Sequence, residues 1–195
     1  MTLSLLDWRR QVAALYAAVR GADDPRAGLA TLRAGRDRLF REHRESPIPA
    51  DERQAFTSCP WWDYDPDFRF VAEVVDRPED RLVIHSGTGE PFTLVRIGAV
   101  ELPIGTLDVH WIDVYGGGVF LPFADATSGH ETYGAGRYLL DTVKGADLGG
   151  HDRWLVLDFN FAYHPSCTYD PRWSCPLAPP GNRLTVPVTV GERLP

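Results

Sequence analysis

Arg137, Asp158 and Asn160 are the residues of this chain whose types and spacing best suit a polar binding site. Arg137 follows the turn-like run Gly134-Ala135-Gly136, which can bring a fixed charge close to backbone and ligand. A guanidinium there would bind an acidic group. Asp158 would orient that guanidinium or act as a base. Alternation along Trp154 to Asn160 puts Asp158 and Asn160 on one strand face. The catalytic candidates are therefore Arg137 and Asp158. The ligand-binding candidates are Ser128, Glu131, Tyr133, Tyr138, Asn160, Tyr163 and Cys167, in which the tyrosines supply walls and hydroxyl donors. If the strands of Arg137 and Asp158 neighbour each other, as successive strands usually do, the two side chains should meet, with Tyr133 or Tyr163 lining the same space. A competing reading needs no ligand: a buried Asp–Arg pair can simply anchor the loop that follows.

Other constellations are weaker. There is no G-x-S-x-G elbow, Walker loop or H-E-x-x-H pattern. Gly116-Gly117-Gly118 and Gly134-Ala135-Gly136 precede strand-like segments, so they read as turns or bulges rather than phosphate cradles. Cys59, Cys167 and Cys175 are odd in number, which argues against a disulfide framework and predicts free thiols. Cys167 and Cys175 lack the paired spacing of a structural zinc site, and no metal is expected; a thiol or metal role for them is a third reading. Lys144 is the sole lysine and the only candidate for Schiff-base chemistry. Asp63 and Asp65 read more simply as turn residues than as ligands.

Composition bounds the partners. The chain has 195 residues, 44% hydrophobic and 24% charged, which suits a globular fold with its own core. A net charge of −7 makes nucleic acid an unexpected partner. The charge-free stretch Val114 to Ala124 is too short to span a bilayer, and Arg9 and Arg10 interrupt the first apolar segment. The expectation is a cytoplasmic protein with no membrane and no cofactor, able to bind a small molecule; its oligomeric state is not specified.

The elements that must position these residues follow from periodicity. Leu5, Trp8, Val12, Leu15 and Val19 fall on one helix face, with Ser4 as N-cap and Gly21 as stop. Asp24-Pro25 opens a second helix, whose face is Leu29, Leu32, Leu39, Phe40 and His43 and which ends near Ser46. Pro49 to Phe56 is a short third helix candidate. Strand patterns follow at Phe68–Val75, Arg81–His85, Phe92–Leu102, Thr106–Tyr115, Gly118–Pro122, Arg137–Leu140, Trp154–Phe159 and Leu184–Val190. No helical pattern separates them, so the sheet should be antiparallel. Phe161 to Asn182 is rich in proline and aromatics, and it reads as a long packed loop covering one end of the β region. The expected fold is α+β: N-terminal helices packed on an antiparallel β-barrel or sandwich. It is read as a single domain, 1–195, in which residues 1–56 are the helical region and residues 57–195 the antiparallel β region.

Two blocks, FADATSGHETYGAGRYL from Phe123 and LDFNFAYHPSCTYDPRWSCPLAPPGNRL from Leu157, resemble the bacterial and archaeal family called domain of unknown function 1684. Arg44-Glu45-Ser46-Pro47 and the RFVAEVV strand fit it too. Residues matching the family pattern include Asp125, Thr127, Ser128, Glu131, Tyr133, Gly136, Arg137, Tyr138, Asp158, Asn160, Tyr163, Cys167, Cys175 and Asn182. His164 departs, since the family commonly has Asn there. The resemblance implies the same site residues and no established activity. The functional expectation is an enzyme or binding protein for a small polar or anionic metabolite. The alternative is a non-catalytic structural or interaction module in which these residues brace the fold.

Overall fold

The computed structural model describes residues 3–194. Two helices open the fold: α1 (Leu3–Arg20) and α2 (Pro25–Glu42). Asp24 caps α2, its carboxylate accepting the Arg26 N–H at 2.9 Å, and Pro25 occupies the first helical turn, where a missing N–H costs nothing. Gly35 lies on the buried face of α2, where a Cβ would overlap the side chain of Leu15, so glycine lets the two helices close together. Pro49 to Phe56 is not a third helix but a series of turns. Arg53 holds them by donating to the carbonyls of His43 at 3.1 Å and Ile48 at 3.0 Å.

Eight strands follow: β1 (Arg69–Glu73), β2 (Arg81–His85), β3 (Pro91–Leu102), β4 (Gly105–Ile112), β5 (Gly118–Phe123), β6 (Arg137–Asp141), β7 (Gly150–His151) and β8 (Trp154–Asp158). They form two sheets, a five-stranded one in the order β2-β3-β4-β5-β6 and a three-stranded one in the order β1-β8-β7. Every pairing between the strands is antiparallel. The architecture is α+β, a sandwich with a helix pair. The barrel alternative is overturned: a barrel needs each strand paired on both edges, whereas β2, β6, β1 and β7 each end a sheet. Isolated bridges, Val75–Ala99 and Tyr138–Tyr163, reach from β3 and β6 to the chain beyond β1 and β8 without closing it. At the first of these, Gly98 removes a Cβ that would crowd Val74 and Val75.

Alternation divides the core between the two faces of the large sheet. On β4, Leu107 and Val109 join Ala72, Leu157 and Phe159 of the small-sheet side, while Ile112 joins Tyr16, Val19, Leu29 and Leu32 of the helices. On β6, Leu139 goes one way and Tyr138 the other. All of β6 is therefore buried, as a strand covered on both faces must be.

Leu184 to Val190 alternates as expected and buries Leu184, Val188 and Val190, but it is not a strand. Pro187 has no N–H to give a ladder. The segment is tied instead by Leu184 N–H to Ala124 O at 2.8 Å, and by side chains described below. Among the described residues, no helix is long and apolar enough to cross a membrane.

Candidate functional site

Gly136 has a positive φ of 95°, and a Cβ there would strike the Phe123 carbonyl, so only glycine brings the chain this close before Arg137. The next residue is driven inward: Arg137 is 0% exposed. Its partner is Asp125, not Asp158. Nη2 donates to Asp125 Oδ2 at 2.9 Å and to Val188 O at 2.8 Å; Nη1 donates to Val190 O at 2.5 Å and to Glu192 O at 3.2 Å. The rings of Trp62 and Phe123 flank the guanidinium at 5.5 and 5.1 Å. Asp125 Oδ1 in turn accepts the Thr127 N–H at 2.7 Å, the Thr127 hydroxyl at 2.6 Å and the Val188 N–H at 3.3 Å. One ion pair thus ties β6, the turn after β5 and the C-terminal segment together. Ser128 belongs to the same turn, its Oγ accepting the Asp125 N–H at 3.1 Å. Glu131 is exposed, and its carbonyl accepts the Leu194 N–H at 2.8 Å.

Asp158 lies in the other sheet, with its own partners. Oδ1 accepts the Asn160 N–H at 3.0 Å and Asn160 Nδ2 at 2.8 Å; Oδ2 accepts the Tyr64 hydroxyl at 3.1 Å and stands 3.7 Å from Arg69 Nε. Burial pushes its pKa up, against the pull of these donors. Asn160 is not on the strand: β8 ends at Asp158, which caps the 3₁₀ turn Phe159–Phe161. Its amide brackets Asp65, accepting that N–H at 2.8 Å and donating to that carbonyl at 2.7 Å. The expected Arg137–Asp158 pair is therefore replaced by two separate clamps.

The tyrosines also divide. Tyr138 donates to Pro176 O at 2.5 Å, and its ring meets Phe120 and Tyr163 edge-on. Tyr133 receives a thiol hydrogen bond from Cys167 at 3.9 Å, and burial raises its pKa to about 12. All three cysteines are free and buried. Cys175 and burial push the Cys167 thiol pKa up, while Cys167, with Lys144 nearby, holds the Cys175 thiol below its ordinary value against the effect of burial.

Tyr163 leads to a feature that sequence reasoning missed. A cavity of about 60 Å³ lies between the helix pair and the segment Tyr163-His164-Pro165-Ser166. Its apolar walls include Val12, Leu15, Leu32 and Leu39, and its polar lining includes Tyr16, Arg36, Lys144 and Tyr163. Arg36 lies over the rings of Phe40 and Tyr163, at 4.4 and 4.9 Å. It donates to Glu192 Oε2 at 3.0 Å and to His164 O at 3.2 Å, while its buried Nε has no partner. Lys144 Nζ pairs with Asp141 at 3.0 Å and retains 42% side-chain exposure, which puts it at the rim. Burial opposes its charge, but Asp141 prevails and raises its pKa, so it is an ammonium rather than a Schiff-base nucleophile. His164 accepts the Tyr133 N–H at Nε2, at 3.2 Å. Burial first, then Arg137 and Arg36, lower its pKa to about 3, so the ring is neutral, with its proton on Nδ1. Arg36 carries no local motif, its partner Glu192 standing 156 positions away, whereas Lys144 pairs locally with Asp141 and reaches the cavity only through the fold.

Fold and interior together define a class: a helix-backed two-sheet sandwich containing a buried cluster of Arg, Asp, Asn and aromatic side chains. The family model described as "Protein of unknown function (DUF1684)" matches residues 54–193, and the chain belongs to that family. Among solved structures it is similar to the solution NMR structure of the uncharacterized protein from gene locus rrnAC0354 of Haloarcula marismortui. The two are 34% identical, with a TM-score of 0.58, over 86% of this chain and 93% of that one. No curated protein matches.

Proposed function

We propose that the protein binds a small polar or anionic metabolite, and that the binding site is the cavity beneath α1 and α2. The observation that carries this is the lining: Tyr16, Arg36, Lys144, Tyr163, His164 and Ser166 bring groups that can donate to an enclosure with apolar walls, with no carboxylate on its wall among the described residues. Ligand sites usually combine apolar walls with a few convergent polar groups. Catalytic roles for Arg137 and Asp158 are not included in the proposal. The Nη donors of Arg137 and the carboxylate of Asp158 are engaged by protein groups, which favours the second reading, bracing of the fold, for those two residues.

The test is a thermal-shift screen of small polar and anionic metabolites on the wild type and on Val12→Phe, which puts a ring into the cavity from α1. A ligand that binds only the folded state raises the melting temperature. At least one compound should do so for the wild type and fail with Val12→Phe. A library without a stabilising compound, or one whose hits act equally on the variant, would sink the proposal.

A further inference from the structure

The cavity's lining also specifies the kind of ligand. We infer that it takes a short monocarboxylate, with the apolar chain between α1 and α2 and the carboxylate at Lys144 and the Tyr16 and Tyr163 hydroxyls. This rests on the binding reading above and narrows it.

Size comes first. A water needs about 10–15 Å³ of such space, so about 60 Å³ gives roughly four to six water-sized positions. That suits a chain of a few carbons, not a nucleotide or a sugar. Polarity comes next. Val12, Leu15, Leu32 and Leu39 form walls that offer a ligand no hydrogen bond, so the body of the ligand must be apolar. The polar groups are donors in excess. Lys144 spends one N–H on Asp141 and has two left. Arg36 has a buried Nε–H without a partner. Tyr16 is 4% exposed and Tyr163 8% exposed, and burial pushes both hydroxyl pKa values up, which keeps them protonated donors. Buried donors of this kind need acceptors. A carboxylate supplies two oxygens, and its bonds to an ammonium are charge-assisted.

The charge balance limits the ligand to one negative charge. Asp141 stands behind Lys144 and Glu192 behind Arg36, one acid for each cation. A phosphate dianion would bring two charges into a cavity whose cations are already paired, and would have no apolar body to bury. A monocarboxylate brings one, at the exposed rim, where Lys144 can keep water as a further partner.

The experiment is isothermal titration calorimetry on the full chain at pH 7 with pentanoate, 1-pentanol and inorganic phosphate, on the wild type and on Tyr16→Phe. Pentanoate should bind at least tenfold more tightly than 1-pentanol, and phosphate should not bind. Tyr16→Phe removes one donor and keeps the ring in the core, so it should weaken pentanoate three- to tenfold and leave 1-pentanol unchanged. If 1-pentanol binds as tightly as pentanoate, the carboxylate assignment falls while the cavity remains a binding site. Binding of phosphate alone would overturn the ligand class. If none of the three binds wild-type protein, the monocarboxylate assignment fails; the metabolite screen with Val12→Phe then decides separately whether the cavity binds anything. Equal loss of pentanoate and 1-pentanol in Tyr16→Phe would show that Tyr16 shapes the cavity and does not bind the carboxylate.

Discussion

The Arg137 clamp and the cavity beneath the helix pair are both buried and both built around cations, yet their hydrogen bonds end differently. At the clamp, one guanidinium gives four bonds to Asp125 and three backbone carbonyls. The charge is spent on holding Val188, Val190 and Glu192 against β6. At the cavity, Lys144 and Arg36 each satisfy one acid and keep donors over, beside the hydroxyls of Tyr16 and Tyr163. A buried polar residue is therefore weak evidence of a site by itself. Both guanidinium groups keep a buried Nε–H without a partner, so that nitrogen does not separate the two regions; the apolar cavity beside Arg36 and the spare donors of Lys144 do.

The largest effect should come from breaking the clamp. Asp125→Ala leaves Arg137 buried without its countercharge, and removing one partner of a buried pair costs about 3–5 kcal/mol. Urea unfolding should show a loss of that size, and a loss below about 1 kcal/mol would mean that the carbonyls alone hold the guanidinium.

A second effect distinguishes the two regions through His164, which touches both. The residue is part of the cavity lining, while its backbone N–H binds Glu192 Oε2 at 2.8 Å. Its pKa is about 3 in the folded chain, below the ordinary 6.5, so the native state binds fewer protons than the unfolded state between those values. Its contribution is complete above about pH 6.5 and declines as the pH falls toward 3, by about 1.4 kcal/mol per unit. His164→Asn keeps an acceptor for the Tyr133 N–H and removes the titration. The stability advantage of the wild type over this variant should shrink by about 2 kcal/mol from pH 7 to pH 5. An advantage that does not change with pH would show that burial does not hold the ring neutral.

Local pattern made much of the fold legible. The three-and-four spacing of Val12, Leu15 and Val19, the Asp24-Pro25 start and the strand alternation all describe how a segment buries one face, and each is present in the structure. The two-sheet arrangement was only half visible, because alternation says which face is inward and not which edge closes. The same limit undid the single site. Arg137 and Asp158 sit on strands of similar character, but β6 and β8 belong to different sheets, and no local signal carries that. Asp125 was visible only as a residue of the FADATSG block that matches the family pattern, and nothing local could direct its second oxygen toward Arg137. Leu184 to Val190 misled in another way. Its alternation is real and drives burial, while its carbonyls answer a side chain instead of a neighbouring strand.

The smallest effect tests whether Asp158 differs from Arg137 as sharply as their partners indicate. Asp158→Asn removes a charge whose pKa burial has already pushed upward. The asparagine carbonyl can still accept the Asn160 N–H, preserving the cap on the turn. Its amide can donate to the Tyr64 hydroxyl in place of the bond it loses. Arg69, at 3.7 Å and 38% side-chain exposure, keeps water as a partner and is not stranded. Only the net worth of about one hydrogen bond is at stake, about 0.5–1.5 kcal/mol. Urea unfolding of Asp158→Asn beside Asp125→Ala should therefore show a cost severalfold smaller for the former. A loss of about 3 kcal/mol or more, the size expected for a broken buried pair, would make Asp158 a second buried charge on which the fold depends, and would erase the distinction between the two clamps.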